Sequence, residues 1–283
     1  MHVITYAEEL SQILEKKRPQ SKIALVPTMG NIHEGHLKLI RAAGKACNTV
    51  IVSLFVNPLQ FNETEDYDAY PRTMDADIQL LELSSTDILF APADKEILPK
   101  GKFRAEKEDF GELMDILCGK FRPGHFLGVA SIVQQLFLLA RPDVVIFGEK
   151  DYQQLVIVKK IAEKLPFPVE VMGVETVRTP SGLALSSRNA YLSKEEKKVA
   201  PELHASLSVI KATLEAGKLD FEFIANQEKE RLSSLGFKVE YLELRRSLDL
   251  GIARASDTNL TILVAAWLGK ARLIDNVCLM RTR

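Results

Sequence analysis

The sequence predicts an α/β protein: a parallel sheet with helices on both faces, followed by a smaller α+β domain with an antiparallel sheet. Two observations predict it. Up to about residue 176, short β-branched runs alternate with helical patterns, as repeated strand-helix units require. Beyond that point the order changes to two charged amphipathic stretches and then three strand-like runs. At 283 residues the chain is long enough to bury two cores of unequal size.

Apolar runs of strand length stand at residues 23–26, 49–56, 87–91, 144–147 and 169–174. Between them, apolar residues at helical spacing predict helices over 34–46, 74–83, 128–140 and 152–165. Strands joined by helical crossovers must run parallel, and the helices then cover both faces of the sheet. A Gly/Ser loop at 179–189 leads to helical stretches at 194–216 and 221–235, and the last runs, 238–244, 261–267 and 271–279, are spaced for an antiparallel sheet. A boundary is expected near residue 176, dividing the chain into 1–176 and 177–283.

Composition narrows the partners. Lys and Arg (37) nearly balance Asp and Glu (38) for a net charge of -1, which gives no field favouring nucleic acid or an anionic membrane. The three cysteines, Cys47, Cys118 and Cys278, are isolated and odd in number, as expected of a reducing, cytoplasmic setting without a disulfide framework. The first residues form no continuous apolar core, and no later run approaches the ~18 apolar residues of a membrane span. A small-molecule substrate is the expectation.

The strand at 23–26 feeds directly into Pro27-Thr28-Met29-Gly30-Asn31-Ile32-His33-Glu34-Gly35-His36. In open parallel sheets ligands bind beyond the carboxyl ends of the strands, where strand order reverses. A helix that starts there offers unpaired N–H groups and a partial positive charge to an anion. Gly30 and Gly35 let the backbone come close, and His33 and His36, three residues apart, can aim donors at one phosphate, more strongly if protonated. Two other readings exist: a pair of histidines that cap and pack, or a zinc site, although no third ligand stands at helical spacing.

Three further segments are polar or glycine-rich at predicted strand ends and are expected to converge with the histidines. In 55–61 the strand stops at Pro58, leaving Asn57 and Gln60 exposed as neutral partners for a hydroxylated or carboxylated substrate, or as an ordinary Asn-Pro turn. In 147–154, Gly148 permits close approach, and Lys150 is a cation at a helix start, where a bound anion explains it better than helix stability does. Asp151 suits ribose hydroxyls or a helix cap. In 182–189, Arg188 with Ser186 and Ser187 forms a phosphate clamp, or an N-cap beside a surface Arg. Residues 121–128 read as a loop over the site. No Ser-His-Asp order and no activated Cys is present, so the chemistry expected is in-line displacement at phosphorus with electrostatic stabilisation.

Taken in order, PTMGNIHEGH (27–36), SLFVNPLQF (53–61), YPRT (70–73), FRPGHFLGV (121–129), PDVVIFGEKDYQQL (142–155) and GLALSSRN (182–189) resemble the pantothenate synthetase family, the ligases that join pantoate to β-alanine. The resemblance spans most of the first 190 residues; beyond that it is one of length and coarse pattern. It implies a Rossmann-like sheet of the His-x-Gly-His nucleotidyltransferase type and a two-step reaction with magnesium-bound ATP: adenylation of pantoate, then attack by β-alanine with release of AMP. It implies that residues 1–176 bind ATP and pantoate, that 177–283 close over the active site, and that the enzyme is a homodimer.

By motif position the resemblance places Met29, Gly30, His33 and His36 along the ATP phosphates, His36 being the residue that protonates or stabilises the departing pyrophosphate. Gly148, Glu149, Lys150 and Asp151 would hold ATP, with Lys150 on the phosphates and Asp151 at the ribose. Leu185, Ser186, Ser187 and Arg188 would close over the triphosphate, and Val177 would lie against adenine. Gln60 and Gln154 would hold pantoate, with Asn57 and Tyr70 lining its pocket. Magnesium is expected to be held mainly by ATP oxygens and water. The helix after 121–128 departs from the family pattern, with Ser131 for Thr, Gln135 for Lys and Leu138 for an amide, so position 135 brings no charge to an anion. Rival readings are a transferase of AMP or CMP to a phosphate acceptor, whose pocket would need more cations, a nucleotide-binding module without catalysis, and a metal-dependent hydrolase.

Overall fold

A computed structural model describes residues 1–62, 67–98 and 105–281. The chain divides into two compact units, Met1–Glu149 with Ile157–Glu175, and Lys150–Val156 with Thr176–Arg283.

The first unit is built on a six-stranded sheet: β1 (His2–Ile4), β2 (Ile23–Thr28), β3 (Thr49–Leu54), β4 (Ile88–Phe90), β5 (Val144–Gly148) and β6 (Glu170–Val174), in the order β1-β4-β3-β2-β5-β6. Every pair is parallel, as the strand-helix alternation predicts. The order reverses at β2, which lies between β3 and β5, so the switch point falls where the histidine run begins. Residues of both parities are buried: Ala24, Val26, Val50, Val52, Val144 and Ile146 pack with Ile40 and Ala43 of the helix Glu34–Ala46 and Leu81 of the helix Met74–Glu82. Ile23, Leu25, Ile51, Phe90, Val145 and Phe147 are buried as well, so both faces are covered and the strands read as continuous apolar runs.

Pro27 shapes the switch point. β2 pairs with β3 as far as Thr28–Leu54, but with β5 only over Ala24–Val144 and Leu25–Val145. A proline has no N–H for the ladder, and pairing of β2 with β5 stops before it. The carboxyl ends of β2 and β5 are thereby left unpaired with each other.

In the second unit the strands β7 (Lys238–Arg246), β8 (Asn259–Leu268) and β9 (Ala271–Met280) form an antiparallel sheet. Leu203, Leu207, Ile210 and Leu214, one stripe of the helix Glu202–Glu215, pack on it with Ile224 and Leu232 of the helix Phe221–Ser234.

Among the elements and their boundaries, three differences from expectation have a local cause. β1 and the helix Ala7–Lys17 were not anticipated, because a three-residue strand leaves no alternation to read and the helix has only Leu10 and Leu14 buried. The stretch expected at 194–216 is two helices, Lys194–Val199 and Glu202–Glu215, divided at Ala200 and Pro201, since proline lacks the amide that would continue the first. The helix expected from 128 begins at His125, after Gly124 at φ +82.

Candidate active site

Between β2 and the helix Glu34–Ala46 the chain turns through Gly30 (φ +83) and Asn31 (φ +52). The amides of this turn are not free for an anion. Gly30 N–H donates to Thr28 Oγ1 (3.3 Å), Asn31 N–H to Asp77 Oδ2 (2.9 Å) and Ile32 N–H to Asp77 Oδ1 (2.7 Å). His33 N–H donates to His36 Nδ1 (3.3 Å), and Gly35 N–H to His33 Nδ1 (3.1 Å). Side chains of the protein thus engage five amides between Gly30 and Gly35, which narrows the expected cradle of unpaired backbone donors.

The same bonds fix the histidines. Each Nδ1 accepts an amide hydrogen, so each neutral ring carries its proton on Nε2 and offers a donor there. Protonating Nδ1 would set N–H against N–H and break the cap, and two imidazolium rings with centroids 4.2 Å apart would repel. The expectation that protonation strengthens the pair is reversed; the rings act as neutral Nε2–H donors. Gly35 is required for this arrangement, because a Cβ there would lie 2.7 Å from His33 Cε1.

Beside the loop, Gln60 is held from three sides. Its Nε2–H donates to Met29 Sδ (2.8 Å), and its Oε1 accepts from Asn57 Nδ2 (3.1 Å). Its backbone carbonyl accepts from His125 Nδ1 (2.8 Å) and from Arg122 Nη2 (3.4 Å). Since a carbonyl only accepts and a guanidinium only donates, His125 is the Nδ1–H tautomer, with Nε2 accepting from Arg122 Nη1 (3.0 Å). The segment expected to cover the site thus holds the backbone of Gln60.

Asn57 was expected to be exposed and is 3% exposed. Its Oδ1 accepts from Leu59 N–H (3.0 Å), and its Nδ2 also donates to Gly128 O (3.1 Å). Tyr70 is buried with its ring edge-on to Phe61. Ser131, in the helix His125–Ala140, returns its hydroxyl to Leu127 O (2.8 Å), and Gln135 Oε1 is buried with no partner among the described residues. Gly148 ends β5, on the carboxyl edge of the sheet, with the half-buried Glu149 after it.

The second unit holds the other candidates. Lys150 is half-buried and Asp151 exposed, ahead of the helix Tyr152–Glu163, on which Gln154 is half-buried. Asn276 of β9 donates from Nδ2 to Lys150 O (2.9 Å). Val177 accepts from Leu185 N–H (2.9 Å), and Arg178 bridges to Ala184, so these residues form a narrow ribbon closed at Gly182 (φ +99). Ser186 Oγ accepts from Arg188 N–H (3.3 Å), capping the short turn Ser187–Tyr191 that carries Ser187 and Arg188. This segment was expected at a strand end; it follows the ribbon instead.

Behind the ribbon, the buried Asp275 takes Arg178 in a two-pronged ion pair (2.6 and 2.9 Å). Lys150, Ser186, Asn189, His204 and Asp275 line one small cavity. Burial, reinforced by Arg178 and opposed by Asp275, pushes the His204 imidazole below its ordinary range. Its Nδ1 stands 3.6 Å from Asp275 Oδ2, too far for a hydrogen bond, as suits a neutral ring beside a carboxylate already paired.

Sequence reasoning missed Asp77, Asp275 and Asn276. Asp77 had a visible signal: it lies four residues before Leu81, on the apolar face of its helix. Asp275 and Asn276 stand in an apolar β-run, and their partners are remote in sequence.

The profile of the pantoate-beta-alanine ligase family matches residues 2–278. A pantothenate synthetase of Shewanella sp. (strain MR-7) is 47% identical over 255 residues, 90% of this chain and 90% of that protein. Among solved structures, the pantothenate synthetase of Thermus thermophilus is similar with a TM-score of 0.90 at 41% identity, over 98% of this chain and 99% of that one. A pantoate-beta-alanine ligase from Francisella tularensis, complexed with beta-gamma ATP and beta-alanine, has a TM-score of 0.80 at 35% identity, over 98% and 97%.

Proposed function

The chain belongs to the pantoate-beta-alanine ligase family, and from that premise we propose that it condenses pantoate with β-alanine to pantothenate at the expense of ATP. The pantoate carboxylate attacks the α-phosphorus of ATP, pyrophosphate leaves, and pantoyl adenylate forms. The β-alanine amine then attacks the acyl carbon, AMP leaves with the bonding electrons, and the amide nitrogen loses a proton. A carboxylate is a poor acylating agent, and the adenylate supplies its leaving group.

The observation that carries this reading is the pair of Nε2–H donors, fixed by their own caps at the switch point of the sheet. In it, His33 and His36, with Met29 and Gly30, line the phosphates of ATP, and His36 donates to the departing pyrophosphate. Gly148 and Glu149 hold ATP, Lys150 meets the phosphates and Asp151 the ribose. Leu185, Ser186, Ser187 and Arg188 act on the triphosphate, and Val177 on adenine. Gln60 and Gln154 bind pantoate in a pocket bounded by Asn57 and Tyr70; Asn57, whose amide is engaged at both ends, acts by orienting Gln60. Residues 1–176 serve as the ATP- and pantoate-binding domain, and 177–283 supply the loop for the triphosphate.

Among the described residues no three His, Cys, Asp or Glu side chains gather to hold a metal ion. The groups assigned to the phosphates are neutral or cationic donors, so magnesium enters with ATP as part of the substrate, held by phosphate oxygens and water. Cytoplasmic residence and a homodimer belong to the same reading. The isolated cysteines support the first, and light scattering tests the second. Among the described residues no helix is long and apolar enough to cross a membrane.

The test is exchange of labelled pyrophosphate into ATP without β-alanine. Exchange that requires pantoate is expected. ATP binding with no exchange would discard the ligase reading for an inactive nucleotide-binding protein, and exchange indifferent to pantoate would point to another acceptor.

A further inference from the structure

Asp77 is 2% exposed, and its carboxylate has three donors: Asn31 N–H, Ile32 N–H and the Thr73 hydroxyl (3.1 Å). An Asp in the first turn of a helix is stabilised by that helix's own amides and dipole. Here the oxygens turn outward to a loop 45 and 46 residues away in sequence. A buried carboxylate is costly unless its oxygens are bonded, and these bonds pass to the turn on which the histidines hang. Consecutive amides near a left-handed residue form an anion-binding concavity, and in this chain its anion is Asp77. Gly30 is part of the fit, since a Cβ there would lie 3.0 Å from Asp77 Oδ2 and would have to adopt φ +83.

We propose that Asp77 is a positioning residue for adenylation: it occupies the amide concavity of the loop, fixes residues 30–32, and so sets the direction in which His33 and His36 present Nε2–H. This rests on the ligase reading and extends it. With two loop amides engaged by the protein, phosphate oxygens are met by side-chain donors whose aim depends on the loop backbone. Loss of the carboxylate should impair transfer at phosphorus and spare the second half-reaction, in which the phosphate-loop donors have no departing pyrophosphate to stabilise.

The test compares the unmodified protein with Asp77→Asn and Thr73→Ala in three measurements: pantoate-dependent pyrophosphate exchange, aminolysis of supplied pantoyl adenylate by β-alanine, and urea unfolding. Asparagine keeps the size and one acceptor but sets an NH2 group against a loop N–H. Asp77→Asn is expected to lower exchange about 30-fold, near 2 kcal/mol at ~1.4 kcal/mol per tenfold, with aminolysis within about threefold. Exchange within threefold of the unmodified protein, or equal losses in both half-reactions, overturns the proposal. If Asp77→Asn does not fold, Thr73→Ala decides, because it removes one donor and leaves the carboxylate. A three- to fivefold loss confined to exchange supports the proposal, and unchanged exchange or matched losses overturn it. Absence of exchange by the unmodified protein overturns the ligase reading and this inference with it, an outcome distinct from failure of the variants alone.

Discussion

Substituting Gly128 with Ala should damage the proposed pantoate side of the site through the backbone. Gly128 is the fourth residue of the helix His125–Ala140, and a Cβ there would stand 1.9 Å from Leu59 O, 2.3 Å from Leu59 C and 2.7 Å from Gln60 N. These are backbone atoms of the turn Pro58–Gln60, so no side-chain rotation relieves the overlap. Reaching an ordinary contact of ~3.5 Å requires helix and turn to part by over an ångström. That shift breaks the bond from Asn57 Nδ2 to Gly128 O and strains the one from His125 Nδ1 to Gln60 O. Overpacking costs about 1–3 kcal/mol, and one buried amide left unsatisfied about 1–3 more. The expected loss is ~2–6 kcal/mol, a large part of a typical domain stability of ~5–15 kcal/mol. Urea unfolding should show a lower midpoint, and steady-state kinetics a pantoate KM raised at least tenfold. An unchanged midpoint with a pantoate KM within twofold would refute the steric reasoning.

Gly148→Ala is the counterpart, because among the described residues nothing beyond its chain neighbours lies within 4 Å of a Cβ there; stability should be unchanged while the ATP KM rises, and an unchanged KM would remove ligand approach as the reason for glycine. Lys150→Ala should lower the exchange rate at least about 100-fold, ~2.7 kcal/mol of lost charge stabilisation, and near-normal exchange would refute its role. His204→Gln should flatten the pH dependence of stability. Burial, aided by Arg178, lowers the folded-state affinity of His204 for a proton below that of the unfolded chain, so the unfolded state binds more protons and stability falls as pH drops through ~6.5. Melting temperatures of the two proteins that decline in parallel between pH 7.5 and 5.5 would refute this.

How much of this was legible in the sequence depends on how local each signal is. Strand-helix alternation reports on a few residues at a time, and it located β2 to β6 and the helix Glu34–Ala46. Gly30, His33, Gly35 and His36 were legible because a turn, two caps and two rings lie within seven residues. What those groups bond to was not, because Asp77 lies 45 and 46 residues further along the chain and only the fold brings it to the loop. Asn57 misled for the same reason: before Pro58 it reads as a turn residue, and only the fold brings the carbonyl of Gly128 to its amide.

These remote bonds change the electrostatic account of the candidate site. A loop of open amides would supply positive potential from the backbone, largely independent of side chains. Here Asp77 and the histidine caps engage those amides, so the loop backbone faces the Asp77 carboxylate and the two rings. The rings in front are neutral, since each cap requires an unprotonated Nδ1. In the proposed reaction the positive charge that balances the α-phosphorus and the departing pyrophosphate must therefore come from elsewhere: from Lys150, from Arg188, and from the magnesium that arrives with ATP. The histidines then direct hydrogen bonds and contribute little to net charge. Replacing either with a neutral donor of similar reach should cost adenylation less than removing Lys150, and the reverse order would show that the rings are charged and the caps broken in the working enzyme.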